Sequence, residues 1–373
     1  MGPGRASSLS LKLNTTGPYV SGEVLQGEVH LHFPKFNMDD VEKLTIKLSG
    51  SIHTRITREN ANSTSVSRQE VVLARSTILL WQKGCAYPSL DSQILVLPFG
   101  FKLPAGLPPS HSCTGSQYSA KIEYGLHVLG ERPGTFRRDR KIHLPLIVVP
   151  AHEQGAHIHS AIIAEGWQGG WRAVERRAEI RRQIWGPYSE VHATLLMPDI
   201  DYFPTQTPLP FELNIVTHTQ PMKRDSRKDS QPIFPAPPSD PRELAFWITP
   251  QVEVHAQSRG VPGIFRTKIK LGGFGHSSEP GYNADVQVER IEREWVPLRD
   301  SPDEKKSLGQ WRQEVTFKSR FTVKAPPTFT TETLLLWYNA TMKIPFPGVR
   351  NDIKFEFPFK IVSHLPPPGT AAT

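Results

Sequence analysis

Along much of the chain, apolar side chains stand at every second position. The clearest stretch is YSAKIEYGLHVL (118–129), where Tyr118, Ala120, Ile122, Tyr124, Leu126 and Val128 fall on one face and Ser119, Lys121, Glu123 and His127 on the other. Alternation of this length predicts an antiparallel strand with one face buried and one exposed to water. The same period appears at Val29, Leu31 and Phe33, and again at Leu44, Ile46 and Leu48. It returns at Phe211, Leu213 and Ile215, and at Ile353, Phe355, Phe357, Phe359 and Ile361 near the carboxyl end. LLLWY (334–338) is continuously apolar, which predicts a strand covered on both sides.

The intervening segments carry turn chemistry. Three prolines exclude KLPAGLPPSHS (102–112) from helix and from a central strand, because each removes an amide donor and fixes φ. NANSTS (60–65) reads as an exposed loop, and GGFG (272–275) as a hairpin turn, since it lacks the lysine and helix that would cradle phosphate. KIHLPLIVVPAHEQG (141–155) reads as a strand running into Pro150 and a polar linker. His157 and His159 are then expected on one face of an exposed strand edge. GWRAVERRAEIRRQIWG (170–186) is the one helix candidate, because Val174 and Ala178, and Ile180 and Ile184, stand four apart; a long edge strand fits it equally well.

A chain of 373 residues is too long for one hydrophobic core and suits two. Its 35 prolines and 27 glycines favour many short strands over long helices. The expectation is an all-β protein with domains at 7–152 and 153–364. The second contains a charged, proline-rich insertion at 220–241, looped or disordered, and a flexible tail follows at 365–373. No apolar run reaches the ~18–20 residues that span a bilayer, and MGPGRASSLS lacks the apolar core of a signal peptide. The two cysteines, Cys85 and Cys113, read as free thiols in a reducing compartment. These features lead to the expectation of a cytoplasmic protein, with any membrane contact peripheral.

Catalytic signatures are missing: there is no GxSxG elbow, HExxH, CxxC or P-loop. His152, His157 and His159 form a histidine cluster, and His157 and His159 on one strand face could bind zinc, but a site needs a third ligand and a supporting shell, so neither a metal nor a cofactor is expected. The net charge of +8 suits an acidic partner. Two basic clusters could supply the contact. One is Arg137, Arg138, Arg140 and Lys141; the other runs from Arg172 through Arg176, Arg177, Arg181 and Arg182, between Trp167, Trp171 and Trp185. Guanidinium groups grip phosphate bidentately, and tryptophans suit a membrane interface or a partner surface. Phosphate-bearing proteins and anionic lipid headgroups are therefore the expected ligands, with no nucleic acid. Ser226 and Ser230 follow basic residues in the insertion, where phosphorylation would bring a basic loop toward neutral and could switch a contact.

Taken in order, SGEVLQGEVHLHF (21–33), VEKLTIKLSGSI (41–52), LPFGFKLPAGLPPSH (97–111), YSAKIEYGLHVLGER (118–132) and IHLPLIVVP (142–150) resemble the arrestin superfamily, particularly its α-arrestin branch of trafficking adaptors. PLPFELNIVTHT (208–219) resembles the strand that opens the family's second domain. The resemblance implies two consecutive immunoglobulin-like β-sandwiches. It also implies a non-catalytic adaptor that links cytoplasmic segments of membrane proteins to endocytic or ubiquitination machinery. Within the same fold, a retromer-type vesicle-sorting scaffold is the alternative; a carbohydrate-binding or hydrolytic β-sandwich is a distant one. The PPxY peptides that recruit a ubiquitin ligase to many α-arrestins are missing: LPPSH, APPSD, APPTF and LPPPG all lack the tyrosine. Arg140 is a candidate member of the charged cluster that arrestins bury between their domains.

Overall fold

A computed structural model describes residues 8–60, 63–134, 137–182, 186–224, 233–257, 259–264, 267–274, 286–298 and 308–369. Its first half is a sandwich. One layer joins β1 (Leu9–Leu13), β3 (Val24–His32) and β6 (Ile94–Lys102), all antiparallel. The facing layer runs β5 (Ser63–Gln82), β4 (Lys43–Asn60), β8 (Tyr118–Glu131), β7 (His111–Thr114), with β9 (Arg140–Leu146) continuing along β8 where β7 stops. A short parallel pair, β2 (Tyr19–Val20) with β10 (Val148–Val149), closes one end. Leu25, Val29 and Leu31 of the first layer meet Leu44, Ile46, Leu48, Leu126 and Val128 of the second, all buried, as period-two alternation requires.

The second half repeats this plan. One layer orders β11 (Trp171–Ile180), β12 (Ser189–Pro198), β14 (Pro208–His218) and β20 (Leu308–Thr322), with β15 (Met222–Lys223) and β19 (Gln287–Pro297) also on β20. The other orders β17 (Arg259–Ile264), β16 (Ala245–Ala256), β22 (Leu334–Ile344) and β21 (Phe329–Thr330). Here β18 (Ile269–Lys270) lies on β16, and β23 (Ile353–Phe359) on β22. A parallel pair again closes the end, β13 (Phe203–Pro204) with β24 (Ile361–Val362). The protein is thus two consecutive immunoglobulin-like β-sandwiches.

One detail recurs in both lobes. Tyr124 of β8 donates its hydroxyl to the Pro108 carbonyl at 2.8 Å, and Tyr338 of β22 donates to the Pro326 carbonyl at 2.9 Å. Each tyrosine is buried, and burial raises its pKa. Gly50 makes room for the first: a Cβ there would stand 2.5 Å from the Tyr124 ring.

Several sequence expectations need correction. Of the two readings of 170–186, the structure shows the edge strand: β11 occupies Trp171–Ile180 and pairs, among the described residues, with β12 alone, and residues 183–185 lie outside the described residues. The helices lie elsewhere. α1 (Phe33–Met38) follows β3 directly, with Pro34 in its first turn. It places Phe33 and Phe36 against Trp81, with Phe36 and Trp81 centroids 5.0 Å apart. α2 (Glu153–Glu165) replaces the expected strand edge and linker, so His157 and His159 sit on a helix. His152 caps it, its ring accepting from the Gly155 amide at 2.9 Å, and Ile158 and Ile162 bury one face. Gly155 is required, since a Cβ there would stand 2.3 Å from the Ser363 carbonyl.

Three smaller differences share one cause, strands that run on or cross over where the sequence reads turn or core. Of the expected loop at 60–65, Asn60 pairs with Ser63 and residues 63–65 belong to β5, while residues 61 and 62 lie outside the described residues. β22 is covered on one face only; Trp337 is 37% exposed while Leu336 and Tyr338 are buried. Gly272 and Gly273 are no hairpin, because β18 pairs with β16 in one layer and β19 with β20 in the other, and Phe274 is buried against Phe211.

Of the expected insertion at 220–241, Met222 and Lys223 pair with β20, and residues 225–232 lie outside the described residues. Of the expected tail at 365–373, the Leu365 carbonyl accepts from the His152 amide at 3.0 Å, and residues 370–373 lie outside. No described helix is long and apolar enough to cross a membrane.

Candidate functional site

The two sandwiches meet through a few specific contacts. Thr54 of β4 donates its hydroxyl to the His255 carbonyl of β16 at 2.8 Å. Gln69 of β5 accepts from the Gln257 amide at 2.9 Å and donates to Glu332 at 3.3 Å. The ring of His111 on β7 packs on Phe329 of β21, with centroids 5.7 Å apart, and burial lowers its pKa so that it stays neutral.

Beside this junction, Thr54 and Gln69 also line an open cleft of about 600 Å³ across the far ends of β5, β4, β8 and β7. The register sets its chemistry. Arg68, Arg55, Ser119 and Thr114 form one row across the four strands; Glu70, His53, Lys121 and Ser112 form the next. Arg55 and Arg68 stand directly opposite each other, exposed, and neither makes an ion pair among the described residues. Like charges at that spacing repel unless an anion lies between them. Lys121 is drawn to Glu123 in its own strand, and His53 stands 3.4 Å from the same carboxylate. Two free guanidinium groups beside two hydroxyls can hold a phosphate or a carboxylate.

The expected basic clusters are placed differently. At the far end of the first sandwich, Arg140 makes a two-pronged contact with Asp39, and Arg132 donates to the Asp39 carbonyl. Ser8 completes the set at 2.5 Å. Burial would raise the Asp39 pKa, but hydrogen bonds from Arg140 and Ser8 and the charges of Arg140 and Arg132 outweigh it, and the net shift is downward. Next to it Asp40 bridges Lys83 at 2.9 Å and Arg137 at 3.0 Å. Arg140 and Arg137 therefore tie the α1–β4 turn to the start of β9 and to the β8–β9 loop. Arg138 and Lys141 are exposed and make no ion pair among the described residues. Arg140 thus belongs to a charged cluster at the end of the first lobe and not to the lobe junction.

On β11, Arg172 is held by Asp199 at 2.7 Å and Asp201 at 3.4 Å; just beyond the strand, Arg181 stacks on Tyr188 at 5.2 Å. Arg176 donates to the Glu175 carbonyl at 3.1 Å. Arg177 and Arg182 are exposed without an ion pair among the described residues. Trp171 is 47% exposed, and Trp185 lies outside the described residues, as do Ser226 and Ser230. The first lobe's cleft gathers Arg55 and Arg68, which stand far apart in any linear reading. Their shared distance from the hairpin tip at Asn60 and Ser63 is the signal that pairs them.

Residues 9–153 match the family model described as Arrestin (or S-antigen), N-terminal domain. The match supports the arrestin superfamily. It covers the first sandwich, including every residue of the cleft, and fewer than half of the 373 residues. No curated protein matches the chain. An arrestin N-terminal domain speaks in general terms for an adaptor or scaffold, and the cleft lies within that domain.

Proposed function

We propose that this chain is a non-catalytic adaptor of the α-arrestin type. It docks on acidic or phosphorylated cytoplasmic segments of membrane-protein cargo and brings them to endocytic or ubiquitination machinery. The observation that carries the reading is the unpaired Arg55–Arg68 row in the cleft, at the side of the lobe junction. An extended segment laid across β5, β4 and β8 would give its anionic groups to Arg55 and Arg68 and its hydroxyl acceptors to Ser119 and Thr114. Because Thr54 and Gln69 line the cleft and also hold the second lobe, a bound segment would bear on the angle between lobes. Fluorescence anisotropy with phosphorylated cytoplasmic peptides tests the reading. Binding should weaken at least tenfold, about 1.4 kcal/mol, in Arg55→Glu/Arg68→Glu, and remain in Arg138→Gln/Lys141→Gln. Equal binding by all three proteins would refute it.

A further inference from the structure

The outer face of the second sandwich carries a feature unrelated to the cleft. Glu190 and His192 stand two apart on β12 and therefore share a face, and the β12–β14 register sets Glu190 directly opposite His218. Behind them, Val191, Ala193, Ile215 and Thr217 are buried in the opposite direction, which fixes the backbone that presents the three side chains. One ligand atom from each residue lies within 4.8 Å of the others. His192 Nε2 and His218 Nδ1 are shielded from water and make no hydrogen bond. Glu190 Oε1 comes within 2.6 Å of His192 Nε2, too far off the ring's donor direction to form one. Two shielded imidazole nitrogens without a hydrogen bond are costly unless something fills the space between them.

We infer that Glu190, His192 and His218 form a binding site for a divalent transition-metal ion of the zinc type. Two imidazoles and a carboxylate are the donor set of borderline ions and not of calcium or magnesium, which take oxygen. Atoms on one zinc lie at most about 4.2 Å apart, given bonds of about 2.1 Å. The three donor atoms, within 4.8 Å of one another, would have to draw together slightly around an ion. The surrounding charges are mixed. Arg177 lies across from His192 and Glu179 across from Glu190; Arg312, opposite His218, is engaged by Glu314 and by Glu294 at 4.0 Å. Three protein ligands leave the solvent side open for water or a donor from a partner.

The test is calorimetric titration of zinc into the chelator-stripped full chain. The expected result is one zinc per chain, weakened at least tenfold in His192→Asn or His218→Asn and less in Glu190→Gln. The stacked pair His127 and His143, 4.4 Å apart in the other sandwich, supplies a control: His127→Asn/His143→Asn should bind zinc as the parent does. Imidazole nitrogen resonances of the unmodified protein give a second readout free of folding artefacts, and those of His192 and His218 should shift on adding zinc. Absence of zinc binding, retention of full affinity in His192→Asn/His218→Asn, or unmoved resonances would overturn the assignment.

Discussion

The two sandwiches share a plan but not a filling. Strands β1, β3 and β6 correspond to β12, β14 and β20; β4, β5, β7, β8 and β9 correspond to β16, β17, β21, β22 and β23; and the parallel pairs correspond as well. The first core is mostly aliphatic, with Phe33, Phe36 and Trp81 clustered at the α1 end and a separate pair, Phe99 and Phe101, on β6. The second is built around a continuous aromatic chain. Phe203 stacks on Phe359 at 4.0 Å, Phe359 meets Phe321 at 6.1 Å, and Phe321 meets Phe246 at 5.1 Å. Topology is thus set by alternation and by the tyrosine-to-proline bond, which both lobes keep, while the side chains that fill the space are free to differ. The lobes diverge at their edges. The first has a far longer hairpin in β4 and β5 than β16 and β17 provide, and that extension carries Arg55 and Arg68. The second adds β11, which has no counterpart.

The largest effect that would sharpen this comparison is in the aromatic chain. Phe321→Ala should destabilise the second lobe by about 3–5 kcal/mol, read by denaturant unfolding, because its ring contacts Phe203, Phe211, Phe246 and Phe359 at once. Gly50→Ala comes next: overpacking against Tyr124 should cost about 1–3 kcal/mol and register in the first lobe alone. Tyr124→Phe and Tyr338→Phe should each cost about 1 kcal/mol. Unequal losses in chemical denaturation would break the equivalence of the lobes.

Smaller still is the Asp39 cluster, about 0.2–1 kcal/mol, since Arg140 is half exposed. Its sign follows from the direction of the shift. Asp39 has a folded pKa below its unfolded value, so its contribution is present above the ordinary carboxylate pKa and is lost as pH falls through the folded one. Melting temperature measured from pH 5 downward should fall less steeply in Asp39→Asn than in the parent. The histidines around α2 act at higher pH. Burial lowers the pKa of His152, His159 and His364, so neutral rings favour the folded state, and that contribution is lost as pH falls below the ordinary imidazole value.

Most of the strand framework was legible in the sequence, because a strand with one buried face writes its period directly into positions such as 118–128. The helices were not. α1 buries only Phe33 and Phe36, too few for a period, and α2 is capped by a histidine, which is not among the usual capping residues. The basic runs were visible as charge, but their partners were not: Asp39 and Asp199 reach Arg140 and Arg172 only through the fold. Arg55 and Arg68, and the trio of Glu190, His192 and His218, exist as groups only once strand register is known.

The adaptor reading turns on which surface a cargo segment covers. Hydrogen–deuterium exchange of the full chain with and without a phosphorylated acidic peptide measures this directly. The account predicts slowed exchange at residues 53–55, 68–70 and 119–121, with the β11 edge at 171–180 unchanged. Protection confined to β11, or none on the β4–β5 hairpin, would contradict it.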